Sequence, residues 1–218
     1  MTFSLIGRCA RTGQFGAAAT TSSLAVGARV HAVAPRVGAV LTQHRTDPRL
    51  GPRGLGLLRS GCTAAQTVAA LVASTPDHGW RQLAAIDAAG RTAHFHGARV
   101  KPEHGAAHGP DVVAIGNILS RAKVPDAMAA AFAASPDLPL AERLLRGLEA
   151  GEEAGGEHGE VTSASLLVFG DHDFALVDLR VDEDPAPIPR LRRLWEKYAP
   201  LVDSYVARVL TPDDAPVL

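Results

Sequence analysis

Cysteine is nearly absent from this sequence: Cys9 and Cys62 are the only two among 218 residues, and their spacing matches neither a metal nor a redox motif. Both thiols read as buried packing residues. With no charged leader and small-residue cleavage site at the front, they point to a reducing, cytoplasmic setting. Excess charge of one sign is missing too. Lys and Arg total 22 against 23 Asp and Glu, a formal net charge of −1, which leaves no electrostatic case for nucleic acid or an anionic membrane surface. No apolar run approaches the roughly 18–20 residues that a membrane-spanning helix needs. What is present is a hydrophobic content of 46%, enough to bury a sizeable core in a single domain over residues 1–218. A small neutral or mixed-charge partner fits such a chain best.

Periodicity divides the chain into hairpins and helices. "TFSLIGR" (2–8), turn residues "RTGQ" (11–14) and "FGAAATTSS" (15–23) read as an amino-terminal hairpin. Val37 to Gln43 reads as a buried strand running into a loop punctuated by Pro48, Gly51, Pro52 and Gly54. A helix follows, with Thr63 as N-cap and Val68, Leu71 and Val72 on one face. "RQLAAIDAAGRTAHFHG" (81–97) is the clearest hairpin signal, followed by a Gly/His-rich loop and an apolar strand from Asp111 to Asn117. Two helices are predicted next, about Pro125 to Ala134 and then "PLAERLLRGLEAGEEA" (139–154), before a polar, flexible connector, "EAGGEHGEVTS" (153–163). A third hairpin turns around "DHD" (171–173). The amphipathic tail runs from Ile188 to Val209 and is kinked or split at Pro200. Hairpins outnumber βαβ units, so the expected class is α+β with antiparallel sheets covered by helices.

Chemistry concentrates at Thr2. A small residue after the initiator permits removal of Met1, and the chain would then start with a free α-amine beside its own hydroxyl. An α-amine titrates at about 7.7–8.0, so near neutral pH part of it is free to take the hydroxyl proton and make the oxygen a nucleophile. A tetrahedral oxyanion then needs fixed donors. "IGNIL" (115–119) offers Gly116, where the backbone can approach closely, and Asn117, whose amide can donate; the same pair would also suit a plain turn after a strand. Gln43 ends a strand and Ser4 shares a strand face with Thr2, so both are candidate substrate contacts. Arg81 could lower the amine pKa or clamp a carboxylate, or be a solvated strand-end charge.

The blocks "MTFSLIGR…TGQFG", "VGAVLTQ…TDPRLGPRGL", "RQLAAIDAAGRTAHFHG", "AIGNIL…DAMAAAF", "PLAERLLRGLEAGEEAGGE" and "TSASLLV", in this order from Thr2 to about Asp182, resemble the bacterial family of unknown function DUF1028, within the N-terminal-nucleophile (Ntn) hydrolases. The resemblance implies a four-layer αββα sandwich whose first strand carries the nucleophile, and amide-bond hydrolysis through an acyl-enzyme on Thr2. It also implies a polar substrate contact at Ser163. There the chain departs from the family, with His158 and Glu160 where a basic residue is expected.

Among the nine histidines, His94 and His96 share a strand face, and His104 and His108 follow in the next loop. A zinc site is conceivable from these four, but no HExxH or clustered cysteine supports one, and alternation on a half-exposed strand accounts for the first pair. No metal and no cofactor are expected. "GPRGLG" (51–56) lacks the lysine and the spacing of a phosphate loop, and "RLRR" (190–193) reads as the solvated face of the last helix. The expected partner is a small-molecule amide substrate; a catalytically silent protein of the same fold that binds a ligand or a partner is the alternative. A homodimer that covers exposed sheet edges is expected.

Overall fold

The structure, a computed structural model, describes residues 1–216. Its strands are β1 (Thr2–Arg8), β2 (Phe15–Thr21), β3 (His31–Ala34), β4 (Gly38–His44), β5 (Arg81–Asp87), β6 (Thr92–His96), β7 (His104–Gly109), β8 (Val112–Asn117), β9 (Ser163–Phe169) and β10 (Ala175–Val181). The helices are α1 (Leu50–Arg59), α2 (Ala64–Ala73), α3 (Val124–Ala133), α4 (Leu140–Glu153), α5 (Pro187–Tyr198) and α6 (Val202–Leu210). Every strand pairing is antiparallel, giving a six-stranded sheet in the order β10-β9-β2-β1-β8-β7 and a four-stranded sheet in the order β3-β4-β5-β6. The protein is therefore a mixed α+β fold with two antiparallel sheets.

Strand alternation sorts the apolar side chains into three cores. Phe3, Leu5, Val112 and Ala114 of the larger sheet face α3, α4 and α5, where Met128, Phe132, Leu144, Leu148 and Leu191 close over them. One residue along each strand, Ile6, Ala17, Ala19, Val113 and Ile115 point the other way, onto Leu41, Ala84 and Ile86 of the smaller sheet. The outer face of that smaller sheet, through Val40, Leu83 and Ala85, is covered by Leu50, Leu55, Leu58, Val68 and Leu71 of α1 and α2. A register slip of one residue in β1 would exchange its two apolar sets, so its pairing is strongly specified.

Imidazoles bridge the two sheets along both flanks. On one, His94 Nδ1 lies 2.7 Å from His108 Nε2 and His96 Nδ1 lies 3.1 Å from His104 Nδ1, joining β6 to β7. On the other, His31 Nε2 is 2.9 Å from Ser165 Oγ, joining β3 to β9.

The three predicted hairpins form, and Thr63 caps α2 with a reciprocal capping box to Gln66. Pro200 divides the tail: α5 ends at Tyr198, and a 3₁₀ turn over Ala199–Leu201 leads into α6. Five expectations are corrected. The segment predicted as a loop around Gly51, Pro52 and Gly54 is helix α1. Pro52 sits in its first turn, where no i−4 hydrogen bond is lost. Glycine at 54 lets the helix lie against the sheet, since a Cβ there would stand 2.8 Å from Val40 Cγ2. The predicted Gly/His-rich loop contains β7, an edge strand without β-branched residues that pairing to β8 holds extended. The short strand β3 was not predicted. The connector before β9 is tied down, with His158 N donating to Ile118 O at 3.2 Å and Thr162 N to Thr21 O at 2.8 Å. Cys9 is buried as expected, but Cys62 is only half-buried. No helix among the described residues is long and apolar enough to cross a membrane.

Candidate functional site

β1 occupies the middle of the six-stranded sheet, and its first residue is Thr2. Alternation turns Thr2, Ser4 and Ile6 toward the space between the sheets, and the same parity presents Asn117 from β8, Thr21 from β2, Gln43 from β4 and Gln82 from β5. Six polar side chains thus interrupt an otherwise apolar interface at one end of the strands. All are buried, and Thr2 is 5% exposed.

Thr2 Oγ1 donates to Met1 O and lies 3.1 Å from Thr21 Oγ1, whose hydroxyl is bonded to the same Met1 carbonyl. Ser4 Oγ donates to Gln43 Oε1 at 2.6 Å. Gln43 Nε2 donates to Gln82 Oε1 at 2.6 Å and stands 3.5 Å from Thr2 O. Gln82 is the hub: its Oε1 also accepts from Asn117 Nδ2 at 2.9 Å, while its Nε2 donates to Gly116 O at 2.7 Å and lies 3.1 Å from His96 Nε2. Asn117 Oδ1 is buried without a hydrogen-bond partner. The network is neutral throughout, so its geometry is fixed by donor and acceptor matching rather than by charge. Burial and the neighbouring imidazoles hold the His96 ring down at about 4, so it is uncharged at neutral pH, with one ring nitrogen a donor and the other an acceptor.

Thr2, Ser4, Gln43 and Asn117 are therefore brought together. Gly116 adjoins them through its carbonyl, but the space beside its Cα is filled by Leu119, whose Cδ atoms would lie 2.8 Å from a Cβ there. The close approach that this glycine permits is therefore to a core side chain. Arg81 is not in the cluster. It precedes Gln82 and so faces the opposite side of the sheet, where its guanidinium donates to Arg45 O. Ser163 is also apart: its Oγ donates to Ser23 O at 2.6 Å and accepts from Val26 N at 3.1 Å, which fastens the turn after β2. Gln82 was missed in sequence. Its only signal is a long polar residue one position from the start of an apolar strand, in register with Gln43.

Five of the surface cavities lie elsewhere: none of these five is lined by Thr2, Ser4, Gln43 or Asn117. With Met1 in place, the tip of β1 is covered. The histidines of β6 and β7 lie in one row, His108, His94, His96 and His104, with ring centroids 4.9 Å apart at each step, rather than around a common point, and no three His, Cys, Asp or Glu among the described residues are grouped to hold a metal ion.

A family model described as a family of unknown function, DUF1028, matches residues 2–191. The chain belongs to this family. A crystal structure of protein SPO2555 from Silicibacter pomeroyi, itself assigned to DUF1028, is similar at 34% identity and a TM-score of 0.85, over 91% of this chain and 86% of that one. The ancestral β-subunit Anbu from Yersinia bercovieri aligns at 12% identity and a TM-score of 0.43, over 93% of this chain and 97% of that one, too remote to carry an argument about this DUF1028 member. No curated protein matches.

Proposed function

We propose that this DUF1028 protein is an N-terminal-threonine amidohydrolase of the Ntn superfamily, a single αββα domain that acts on a small amide or peptide-like substrate after Met1 is removed. The observation that carries the reading is the placement of Thr2: first residue of a central strand, hydroxyl toward the space between the sheets, Asn117 opposite it in the ladder. Loss of Met1 frees the Thr2 hydroxyl from the Met1 carbonyl and uncovers the tip. Thr2 Oγ then attacks the amide carbonyl carbon while the α-amine takes the hydroxyl proton. The C–N bond breaks as that proton passes to the leaving nitrogen. Water hydrolyses the resulting ester, with the amine again acting as base. The Asn117 amide, which has one N–H beyond the one given to Gln82, serves as oxyanion donor. Ser4 and Gln43 border the substrate. A homodimer covering a sheet edge completes the proposal.

A second reading, a catalytically silent binder of a small ligand or a protein partner, is favoured by one observation: the side chains around Thr2 are hydrogen-bonded mainly to one another, Asn117 Oδ1 apart, and they line none of the five cavities described above. Intact mass of the protein from cells, followed by incubation with small amides, lactams and N-acyl amino acids, separates the two. Met1 loss and an acyl adduct on Thr2 support the hydrolase. A protein that retains Met1 has no free threonine amine and leaves the binder.

A further inference from the structure

Beside the start of β1 lies a buried acid with no part in the chemistry above. Glu157 belongs to the connector between α4 and β9, which bridges to Leu119 and closes over the end of β8. The Met1 side chain rests on the same connector, its Cε atom 3.3 Å from where a Cβ on Gly159 would stand. Glu157 is 7% exposed, and both carboxyl oxygens are buried without a close hydrogen bond, although the Ser22 hydroxyl and N–H lie near enough to favour the charged form. An isolated buried carboxylate is strongly disfavoured unless a cation or several donors meet it. No other carboxylate among the described residues has both oxygens so placed.

We propose that Glu157 is the counter-charge of the mature amino terminus, a positioning residue whose carboxylate holds the Thr2 α-ammonium beside the Thr2 hydroxyl. The inference rests on the reading that Met1 is removed. Its electrostatic sign is already present in the chain with Met1: burial pushes the Glu157 carboxyl up to about 8, and the positive α-amine is the foremost influence drawing it back, ahead of Ser22. Trimming by one residue shifts the amine by about one Cα–Cα step, roughly 3.8 Å. The other titratable groups there are His44 at the end of β4, whose ring also senses the amine, and Glu152 and Glu160, which line the adjoining cavity with Glu157. Pairing with a carboxylate raises the pKa of an amine, so Glu157 sets both where the base sits and the pH at which it becomes free.

The test uses the full chain released at Thr2 from a cleavable leader, so that processing in the cell does not enter. The α-amine pKa is read by competitive labelling of the amino terminus across pH. Glu157→Gln is expected to lower it by about one unit or more, and Glu157→Asp to lower it less. An unchanged amine pKa in folded Glu157→Gln protein overturns the proposal. Should that variant fail to fold, unaltered chains beginning at Met1 and at Thr2 are compared. Stability of the Met1 form should fall as pH rises toward 8, and that decline should vanish in the Thr2 form; the same decline in both overturns the proposal. Inactivity toward every amide, with the amine shift intact, removes the hydrolase and leaves the role of Glu157 standing.

Discussion

Thr2 and Asn117 face each other across the β1–β8 ladder, yet no hydrogen bond joins their side chains: the threonine hydroxyl is turned to Met1 O and Thr21, and the asparagine amide to Gln82. Under the proposed function, catalysis by this pair would require Met1 to leave, so the outcomes for turnover below are those expected of the protein that begins at Thr2.

Thr2→Ala should abolish turnover while lowering stability by no more than about 1 kcal/mol, the worth of the hydroxyl's hydrogen bond to Thr21. Thr2→Ser should keep part of the activity. Turnover by Thr2→Ala, measured on any substrate that acylates the unaltered protein, would end the nucleophile assignment.

Asn117→Ala should reduce kcat by roughly 10²–10³-fold with little change in KM, because an oxyanion donor acts on charge that develops only in the transition state. An effect confined to KM would reassign Asn117 to substrate binding.

Gln82→Leu should be costly without touching substrate. It strips partners from Gln43 Nε2, Asn117 Nδ2 and the Gly116 carbonyl at once, and about 3 kcal/mol of stability should be lost in urea denaturation. A near-neutral result would mean that these groups find other partners.

Stability should pass through a maximum near neutral pH in the Met1-bearing chain. His31 and His96, both held at about 4, stay uncharged in the fold where the unfolded chain protonates them near 6.5, so stability falls as pH drops from about 6.5 toward 4. Glu157 works in the opposite sense. Its proton is retained in the fold up to about 8 against 4.5 in the unfolded chain, so its contribution, complete below pH 4.5, is lost as pH rises toward 8. Thermal melts across pH check both limbs. His96→Gln should flatten the acid side, and a melting temperature indifferent to pH between 4 and 6.5 would contradict the assignment.

Gly54→Ala places a better helix former in α1, a gain of about 1 kcal/mol, but drives a methyl to within 2.8 Å of Val40 Cγ2 in the adjoining core. Overpacking of roughly 1–3 kcal/mol should win. A lower melting temperature is the expected result.

That same glycine shows where reading from sequence stops. Gly51, Pro52 and Gly54 carry the local signature of a loop, and only the need to pack a helix tightly on β4 makes them helical, a tertiary demand with no local trace. β7 is similar: "HGAAHG" has no strand preference of its own and is extended because β8 pairs with it. The hairpins were legible because turn residues and β-branched runs act locally. At the site, Thr2, Ser4, Gln43 and Asn117 followed from strand parity and end position. Arg81 did not, because assigning it to the cleft ignored its parity with Gln82. Glu157 was hidden in a Gly- and Glu-rich stretch that looks solvated until the connector folds over β8.

The imidazole contacts on the two flanks have a geometric corollary. With β6 stitched to β7 and β3 to β9, the sheets are held together along both flanks, so under the proposed function a substrate would reach Thr2 along the strands, from the end where Met1 now sits.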